Sequence, residues 1–373
     1  MQNILIASEN YTELDEYFAG TSAKNILLVC DGSIQFLKLN EYFTTLENRI
    51  GIKVIRFSDF QPNPLYDSVV AGVKVFHDNK CDLIAAVGGG SALDVAKCIK
   101  LYSNMDHSQN YLKQTIVPND VPLFAVPTTA GTGSEATRYA VIYYNGEKQS
   151  VADYSCIPST VLFDSTVLRT LPLYQKKSTM MDALCHAIES FWSVNSTDES
   201  KGYSRSAIEM IIANKDKYFD NDDEGNANML KAANIAGKAI NITQTTAGHA
   251  MCYKLTSLYG ISHGHAAALC DVKLFPFMIS NTDKCIDSRG EEYLKTVFSD
   301  IAKAMGCSTT KEACDKLASV ISELQLEVPK EVKAEDIDIL KNSVNPVRLK
   351  NHPVKLSVED IDGLYSNILN MGD

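Results

Sequence analysis

Apolar runs of strand length alternate with amphipathic stretches along the first 170 residues of the chain. Short runs rich in valine, isoleucine, leucine and phenylalanine are typical of buried strands. They cover residues 25–30, 52–57, 81–87, 121–129 and 159–164. Because helical patterns separate them, this part of the chain is predicted to be an α/β domain with a mostly parallel sheet and helices on its faces.

The pattern of apolar positions changes near Pro172, which interrupts the chain. Beyond it, apolar residues recur at spacings of three and four, as in amphipathic helices, and strand-like runs largely disappear. The clearest helical segments are 179–192, 229–242, 292–306 and 314–325. We therefore predict two domains, an α/β domain over 1–170 and an all-α domain over 171–373, whose last helix is capped at Ser357.

Length and charge agree with this division and narrow the range of partners. A chain of 373 residues usually forms more than one domain. Its net charge of −11, without a basic stripe, argues against nucleic acid or an anionic membrane surface as a partner. A small anionic ligand stays compatible with this charge, because a few local cations suffice to bind it. No apolar run approaches the roughly 18 residues that a membrane span needs.

Cysteine usage and the amino-terminal sequence indicate a reducing compartment. The ten cysteines are scattered and form no C-x-x-C pair. The start, MQNILIASEN, lacks the basic region and long apolar core of a secretory signal. We therefore expect a cytoplasmic protein. The sequence does not fix its oligomeric state, and a homo-oligomer is compatible with it.

A glycine-rich loop joins a predicted strand to a predicted helix in the segment AAVGGGSALDVAK, residues 85–97. Gly88, Gly89 and Gly90 permit close backbone approach, the helix start offers unpaired N–H groups, and Ser91 adds a hydroxyl. These features suit a pyrophosphate. The segment is neither G-x-G-x-x-G nor a Walker A loop, so a plain tight turn is an equal alternative on the glycines alone.

A second loop strengthens the case for a nucleotide. The segment PTTAGTGSE, residues 127–135, also follows a strand and is rich in small hydroxyl and glycine residues. Two such loops at the carboxyl ends of parallel strands are typical of a nucleotide crevice. Asp31 follows the first predicted strand, where an acidic residue binds an adenosine ribose, although a simple turn aspartate explains it equally well.

Three of the seven histidines, His249, His263 and His265, lie within residues 248–265. On an unbroken helix the first two would be about 21 Å apart and unable to share an ion. Gly260 is predicted to end the helix, and Ser262 is a suitable N-cap for a new helix. A turn at this point allows His263 to fold back towards His249.

Asp182 and His186 supply further metal ligands. They are four residues apart and so share one face of a helix whose other residues are apolar. Burying both is costly unless something binds them. Each residue taken singly is more often structural, but one aspartate with three histidines forms a ligand set that suits Fe(II) or Zn(II).

Four motifs resemble, in the same order, those of the iron-dependent (group III) alcohol dehydrogenases. They are GGGSALDVAK (88–97), PTTAGTGSEATR (127–138), DALCHAIES (182–190) and GHAMCYKLTSLYGISHGH (248–265). The likeness runs from about residue 25 to about residue 280. It implies an NAD(P)-binding domain (1–170), a helical metal- and substrate-binding domain (171–373), and an active site in the cleft between them.

The resemblance also implies particular site residues. The implied ligands of Fe(II), or alternatively Zn(II), are Asp182, His186, His249 and His263. The implied contacts to NAD(H) are Asp31, Gly88, Gly89, Gly90, Ser91, Asp94, Thr128, Thr129 and Thr132. Asp31 would favour NAD, since a carboxylate repels the 2′-phosphate of NADP, which remains the alternative.

Tyr253 departs from the family pattern, because many members carry a histidine there, close to the nicotinamide. Tyr253 or water would then supply the proton during catalysis. His265 is the other candidate catalytic residue, with simple packing as its alternative role.

Segments 178–200, 241–265 and 345–357 are most similar to the phosphonoacetaldehyde reductase branch of this family. That branch reduces phosphonoacetaldehyde to 2-hydroxyethylphosphonate. The cations available for a phosphonate are Lys254, Arg348 and Lys350, each of which is alternatively a solvated surface charge.

The resemblance thus predicts reduction of a small aldehyde by hydride transfer from NADH, with the metal as Lewis acid. A general short-chain alcohol or diol dehydrogenase, acting on lactaldehyde, propanol or butanol, is the first alternative. A dehydroquinate-synthase-like lyase and a catalytically silent nucleotide-binding or sensor protein are the others.

Overall fold

The computed structural model describes residues 2–344 and 346–371. The chain divides into two compact units. The first ends at Leu171 and the second begins at Pro172, except that Ala130–Thr132 groups with the second unit. Among the described residues, no helix is long and apolar enough to cross a membrane.

Strands occur only in the first unit, as far as the structure describes the chain. They are β1 (Asn3–Ile6), β2 (Asn25–Cys30), β3 (Lys53–Phe57), β4 (Leu83–Gly88), β5 (Leu123–Pro127), β6 (Tyr139–Tyr144), β7 (Glu147–Ala152) and β8 (Thr160–Phe163). Six of them form a sheet of order β1-β8-β5-β4-β2-β3, and every neighbouring pair is parallel. The predicted α/β class is confirmed, whereas the antiparallel hairpin β6–β7 was not predicted.

Helices accompany the strands of the first unit and make up nearly all of the second. The first unit contains α1 (Thr12–Gly20), α2 (Lys38–Ile50), α3 (Tyr66–Asp78) and α4 (Gly90–Tyr102). The second contains α5 (Leu173–Trp192), α6 (Asp198–Phe219), α7 (Asp223–Thr243), α8 (Ala247–Tyr259), α9 (His263–Ser280), α10 (Glu291–Ala304), α11 (Thr310–Glu323), α12 (Ala334–Ser343), α13 (Pro346–Leu349) and α14 (Val358–Ile368).

The central strands of the sheet end side by side. Cys30 of β2 pairs with Val87 of β4, and Gly88 of β4 pairs with Pro127 of β5. Strands β4 and β5 are buried along their whole length, which explains their continuous apolar sequences. The loops that follow these three strands therefore leave the sheet at one edge, where ligands of α/β sheets bind.

Helix α5 is the central helix of the second unit. It packs against α6, α7 and α9, and almost every residue from Ser178 onward is buried. A helix that is buried on nearly all sides is normally apolar throughout, yet α5 carries the buried side chains of Lys176, Asp182 and Glu189. Each of these charges needs a partner inside the unit.

The predicted chain reversal between the two histidine-bearing segments is present. Helix α8 ends at Gly260, whose φ of 66° is the left-handed conformation that glycine adopts easily. Ser262 precedes α9 as expected, but its hydroxyl makes no capping hydrogen bond. Ser357 does cap α14, through its reciprocal bonds with Asp360.

Candidate active site

The face of α5 that carries Asp182 and His186 also carries Glu189. Because these residues are four and then three positions apart, their side chains lie along one stripe of the helix. All three are at most 6% exposed. A stripe of buried ionisable groups inside an apolar unit is typical of a functional site rather than of a packing core.

The reversal at Gly260 brings both of the predicted histidine ligands to this stripe. His249 lies in the first turn of α8, and His263 is the first residue of α9. Their ring centroids are 5.3 Å apart. The two rings are therefore close, although the residues are 14 positions apart in the sequence.

Three of the four predicted ligands form a compact group. The ligand atoms of Asp182, His249 and His263 all lie within 4.8 Å of one another. Asp182 Oδ1 is 3.5 Å from His249 Nε2 and 4.0 Å from His263 Nε2. The His186 ring stacks on the His249 ring at a centroid distance of 4.4 Å, so it borders this group without belonging to it.

The donor atoms of this group fit a divalent cation. Asp182 Oδ1 and His249 Nε2 are buried and have no hydrogen-bond partner among the described residues, and the same holds for His186 Nδ1. Leaving such atoms unpaired costs free energy that a bound cation would offset. One carboxylate oxygen with imidazole nitrogens is a ligand set that Fe(II) and Zn(II) accept.

The local electrostatics favour positive charge at this point. Burial opposes the ionisation of Asp182, but the neighbouring histidines outweigh it and hold the pKa of the carboxyl below its usual range. Burial lowers the pKa of His186 to about 4, so this ring is neutral near pH 7. Burial also disfavours a charged His249, yet Glu189 and Asp182 raise its pKa. A divalent cation would be stabilised by the same two carboxylates.

Two glycines beside the ligands allow this close approach. A Cβ on Gly264 would lie 2.1 Å from the Ser178 carbonyl oxygen and 2.6 Å from Asp182 Cβ. A Cβ on Gly248 would lie 1.9 Å from Asp271 Oδ1. Helices α9 and α8 can therefore pack against their neighbours only with glycine at these positions, each adjacent to a histidine ligand.

Tyr253 and Arg348 extend the site away from its buried side. The Tyr253 ring stacks on the His263 ring at 5.3 Å, and the Arg348 guanidinium lies 5.5 Å from the centre of the Tyr253 ring. Arg348 Nη1 also donates to Thr245 Oγ1 at 3.0 Å. Of the other predicted cations, Lys254 is half-buried next to Tyr253, while Lys350 is exposed.

His265 has both ring nitrogens engaged in contacts within the second unit. Nδ1 lies 3.0 Å from the Tyr174 hydroxyl, and Nε2 lies 3.0 Å from the Glu327 carbonyl oxygen. Its backbone N–H donates to Ser178 Oγ. These contacts favour packing, the alternative role considered for this residue, over catalysis.

The predicted nucleotide-binding residues that follow the central strands converge at one edge of the sheet. A Cβ on Gly88 would lie 3.3 Å from Asp31 Oδ2 and 2.6 Å from Ala92 Cβ, so the loop passes close to both. Thr128 N donates to the Gly88 carbonyl oxygen, and a Cβ on Gly89 would meet the Thr129 side chain. Helix α4 begins at Gly90, directly followed by Ser91, and its first N–H groups suit a phosphate.

Two other predicted contacts have different surroundings. Asp94 is half-buried and accepts hydrogen bonds from Ser134 Oγ and Val141 N. Thr132 belongs to the short segment that groups with the helical unit. The sequence analysis missed the fully buried Lys97, whose Nζ contacts the carbonyl oxygens of Ser134, Thr137 and Tyr139 and so fixes the segment after the second loop.

The sequence analysis also missed Glu189. Its carboxylate accepts hydrogen bonds from Thr246 and from the His249 ring and backbone. The signal was present in the sequence, because Glu189 continues the Asp182–His186 stripe by one further helical turn.

Comparison with known families finds a match to each half of the chain. Residues 2–165 match the family described as iron-containing alcohol dehydrogenase, and residues 176–369 match the carboxyl-terminal part of the same family. The chain belongs to the iron-containing alcohol dehydrogenase family. It is an oxidoreductase, an NAD(P)-dependent alcohol dehydrogenase.

Individual relatives extend over most of the chain. Alcohol dehydrogenase 4 of Schizosaccharomyces pombe is 29% identical over 361 residues, which cover 89% of this chain and 81% of that protein. The 1,3-propanediol dehydrogenase of Klebsiella pneumoniae is 30% identical over 318 residues, 82% of this chain and 79% of the relative. The chain spans only 40% of the aldehyde-alcohol dehydrogenase of Streptococcus pneumoniae, to which it is 28% identical.

A solved structure is similar over the whole chain. The sulfoacetaldehyde reductase of Bifidobacterium kashiwanohense, in complex with NAD+, is 25% identical and superimposes with a TM-score of 0.87. The similarity covers 100% of this chain and 98% of that one.

Gly264→Ala should destabilise the protein, because the new Cβ would collide with the backbone of α5. Overpacking of this kind typically costs about 1–3 kcal/mol. The midpoint of urea unfolding measures it. Gly363→Ala in α14, where a Cβ meets nothing within 4 Å, is the matched control and should not lower the midpoint. Equal midpoints for Gly264→Ala and wild type would contradict the close approach.

His263→Ala should abolish metal-dependent turnover and leave NADH binding largely intact, because it removes one of the three clustered ligands and lies outside the NAD-binding loops. Aldehyde-dependent NADH oxidation and NADH fluorescence measure the two properties. His77→Ala changes an exposed histidine of the first unit and should match wild type in both. Full activity of His263→Ala would contradict the assignment of His263 as a metal ligand.

Proposed function

We propose that the protein reduces phosphonoacetaldehyde to 2-hydroxyethylphosphonate with NADH and a divalent metal. Asp182, His249 and His263 would hold the metal, with His186 as the fourth ligand. The observation that carries the substrate is the position of Arg348, whose guanidinium lies over Tyr253, the residue stacked on His263. A short molecule with an aldehyde at one end and an anionic group at the other could place its anion near Arg348 and its aldehyde near His263.

Arg348 is a suitable partner for a phosphonate. A guanidinium has five N–H donors and binds the oxygens of such anions in pairs, so Arg348 can hold Thr245 and a substrate at once. A local cation is needed because the protein as a whole carries a charge of −11 and repels anions. The similarity to a sulfoacetaldehyde reductase supports this proposal, since that substrate is also a two-carbon aldehyde with an anionic group.

The chemistry divides between the cofactor, the metal and the side chains of the protein. A divalent cation supplies Lewis acidity that polarises a carbonyl group. NADH would supply the hydride for the carbonyl carbon, and the oxygen would need one proton to form the alcohol. Tyr253 is the hydroxyl-bearing side chain next to His263 and would deliver this proton directly or through water.

Fe(II) is the proposed metal, with Zn(II) as the alternative, because the ligand set accepts both. NAD(H) is the proposed cofactor. Asp31 lies at the end of β2 with its carboxyl close to Gly88, where it would repel the 2′-phosphate of NADP. The NAD+ bound to the similar sulfoacetaldehyde reductase supports this preference.

A general short-chain alcohol or diol dehydrogenase is the second candidate function. The observation in its favour is the 30% identity to a 1,3-propanediol dehydrogenase. A dehydrogenase of uncharged alcohols needs no cation to bind its substrate. The effect of replacing Arg348 therefore distinguishes the two candidate functions. A lyase without net redox change would oxidise no NADH at a steady rate.

An aldehyde panel tests the substrate. With phosphonoacetaldehyde, sulfoacetaldehyde, lactaldehyde and propanal, kcat/KM should be highest for the phosphonate. Arg348→Gln should lower kcat/KM about 10- to 100-fold for the anionic aldehydes, as expected for the loss of a charge-assisted hydrogen bond, and should leave propanal unchanged. Lys355→Gln, an exposed cation of the same segment, is the control. Equal preference for propanal, unaffected by Arg348→Gln, would favour the general dehydrogenase instead.

Tyr253→Phe tests the source of the proton. If the phenol delivers it, kcat should fall about 100-fold or more, as is common when a general acid is removed. Tyr253→His places the residue that many family members carry and should restore much of the activity. An unchanged kcat in Tyr253→Phe would assign the proton to water.

A further inference from the structure

The carboxylate of Glu189 is the most completely bonded ionisable group beside the proposed metal site. Its Oε2 accepts from Thr246 N at 2.5 Å and from Thr246 Oγ1 at 2.6 Å. Its Oε1 accepts from His249 N at 3.0 Å and contacts His249 Nδ1 within hydrogen-bond distance. Glu189 is fully buried on α5, so these four bonds replace its hydration.

This contact distinguishes the two nitrogens of the His249 ring. A carboxylate can only accept, so Nδ1 must carry the hydrogen that it donates to Glu189. Nε2 is then the ring nitrogen left for a metal, and it lies 3.5 Å from Asp182 Oδ1, on the side of the proposed metal. The lack of any hydrogen-bond partner for His249 Nε2 among the described residues agrees with this assignment.

The position of Glu189 is itself fixed from two sides. The Thr246 hydroxyl that donates to Glu189 accepts a hydrogen bond from Trp192 Nε1 at 2.8 Å. On the other side, a Cβ on Gly248 would lie 2.7 Å from Glu189 Oε1, so the backbone of α8 closes over the carboxylate. Glu189 therefore has little freedom to move away from His249.

We propose that Glu189 is a positioning residue that holds the Nδ1–H of His249 and thereby directs Nε2 to the metal. The inference deepens the proposed function and rests on its metal site. Carboxylates that accept from a ligating histidine fix its tautomer and orientation, and their loss typically weakens metal binding about 10- to 100-fold.

A purely structural role is the rival explanation, because Glu189 also accepts from two backbone N–H groups at the start of α8. Such a role would affect folding but not the affinity of the folded protein for metal. The buried Asp271 offers a control for this difference. A Cβ on Gly248 would lie 1.9 Å from Asp271 Oδ1 and 2.7 Å from Glu189 Oε1, so the two buried carboxyls are neighbours, but neither Asp271 oxygen has a hydrogen-bond partner among the described residues.

Zn(II) affinity, measured by competition with a chelator, tests the proposal. Glu189→Gln should bind Zn(II) about 10- to 100-fold more weakly than wild type, with circular dichroism and NADH binding verifying its fold. Asp271→Asn removes a neighbouring buried carboxyl and should change the Zn(II) affinity by less than about threefold. A folded Glu189→Gln protein that binds Zn(II) as tightly as wild type overturns the inference.

A measurement on the wild-type protein covers the case in which Glu189→Gln does not fold. In the Zn(II)-loaded protein with ¹⁵N-labelled histidine, His249 should show a protonated Nδ1 and a metal-bound Nε2. The signal is assigned by its loss in His249→Gln. Ligation through Nδ1 would overturn the inference alone, whereas a wild-type protein that binds no divalent metal would overturn the proposed function with it.

Discussion

The carboxylate of Asp182 inside the helical unit is the feature on which the rest of the site depends. It is 3% exposed on a helix that is otherwise almost wholly buried, and neighbouring imidazoles keep it ionised. A buried anion is costly without a counter-charge, so its surroundings are arranged to provide one. His249 and His263 approach it with ring nitrogens, and Glu189 adds a second negative charge behind His249. A divalent cation would supply the counter-charge that these groups need.

Local backbone features bring the ligands to this carboxylate. The left-handed turn at Gly260 separates α8 from α9 and places the starts of both helices beside α5. Gly248 and Gly264 then remove the side chains that would prevent contact. Asp182 and His249 are buried, while the side chain of His263 is 36% exposed, so the group is open on the side of His263.

Much of the fold and of the candidate site could be predicted from the sequence, because these features follow from short-range patterns of residues. The parallel sheet, the helical second half, the Asp182–His186 pair and the turn at Gly260 all follow from periodicity and glycine placement. The hairpin β6–β7 was missed although its signal is local, because β6 is the apolar run YAVIYY and Asn145-Gly146 is a typical hairpin turn, while only β7, EKQSVA, is largely polar. The contact of Glu189 with His249 joins residues 60 positions apart, and no local pattern specifies such a pair. For the same reason the stacking of Arg348 on Tyr253 emerged only from the structure.

The metal ligands are the shared part of the site, since they suit many aldehydes. Arg348 and Tyr253 lie beside them, where we propose that they accommodate an anionic aldehyde. The most direct test of the shared part is anomalous diffraction from crystals of the Fe(II)- or Zn(II)-loaded protein at the absorption edge of the metal. We predict one strong peak among Asp182, His249 and His263, with His186 as the fourth ligand. A peak elsewhere, with these side chains turned away from one another, would contradict the account.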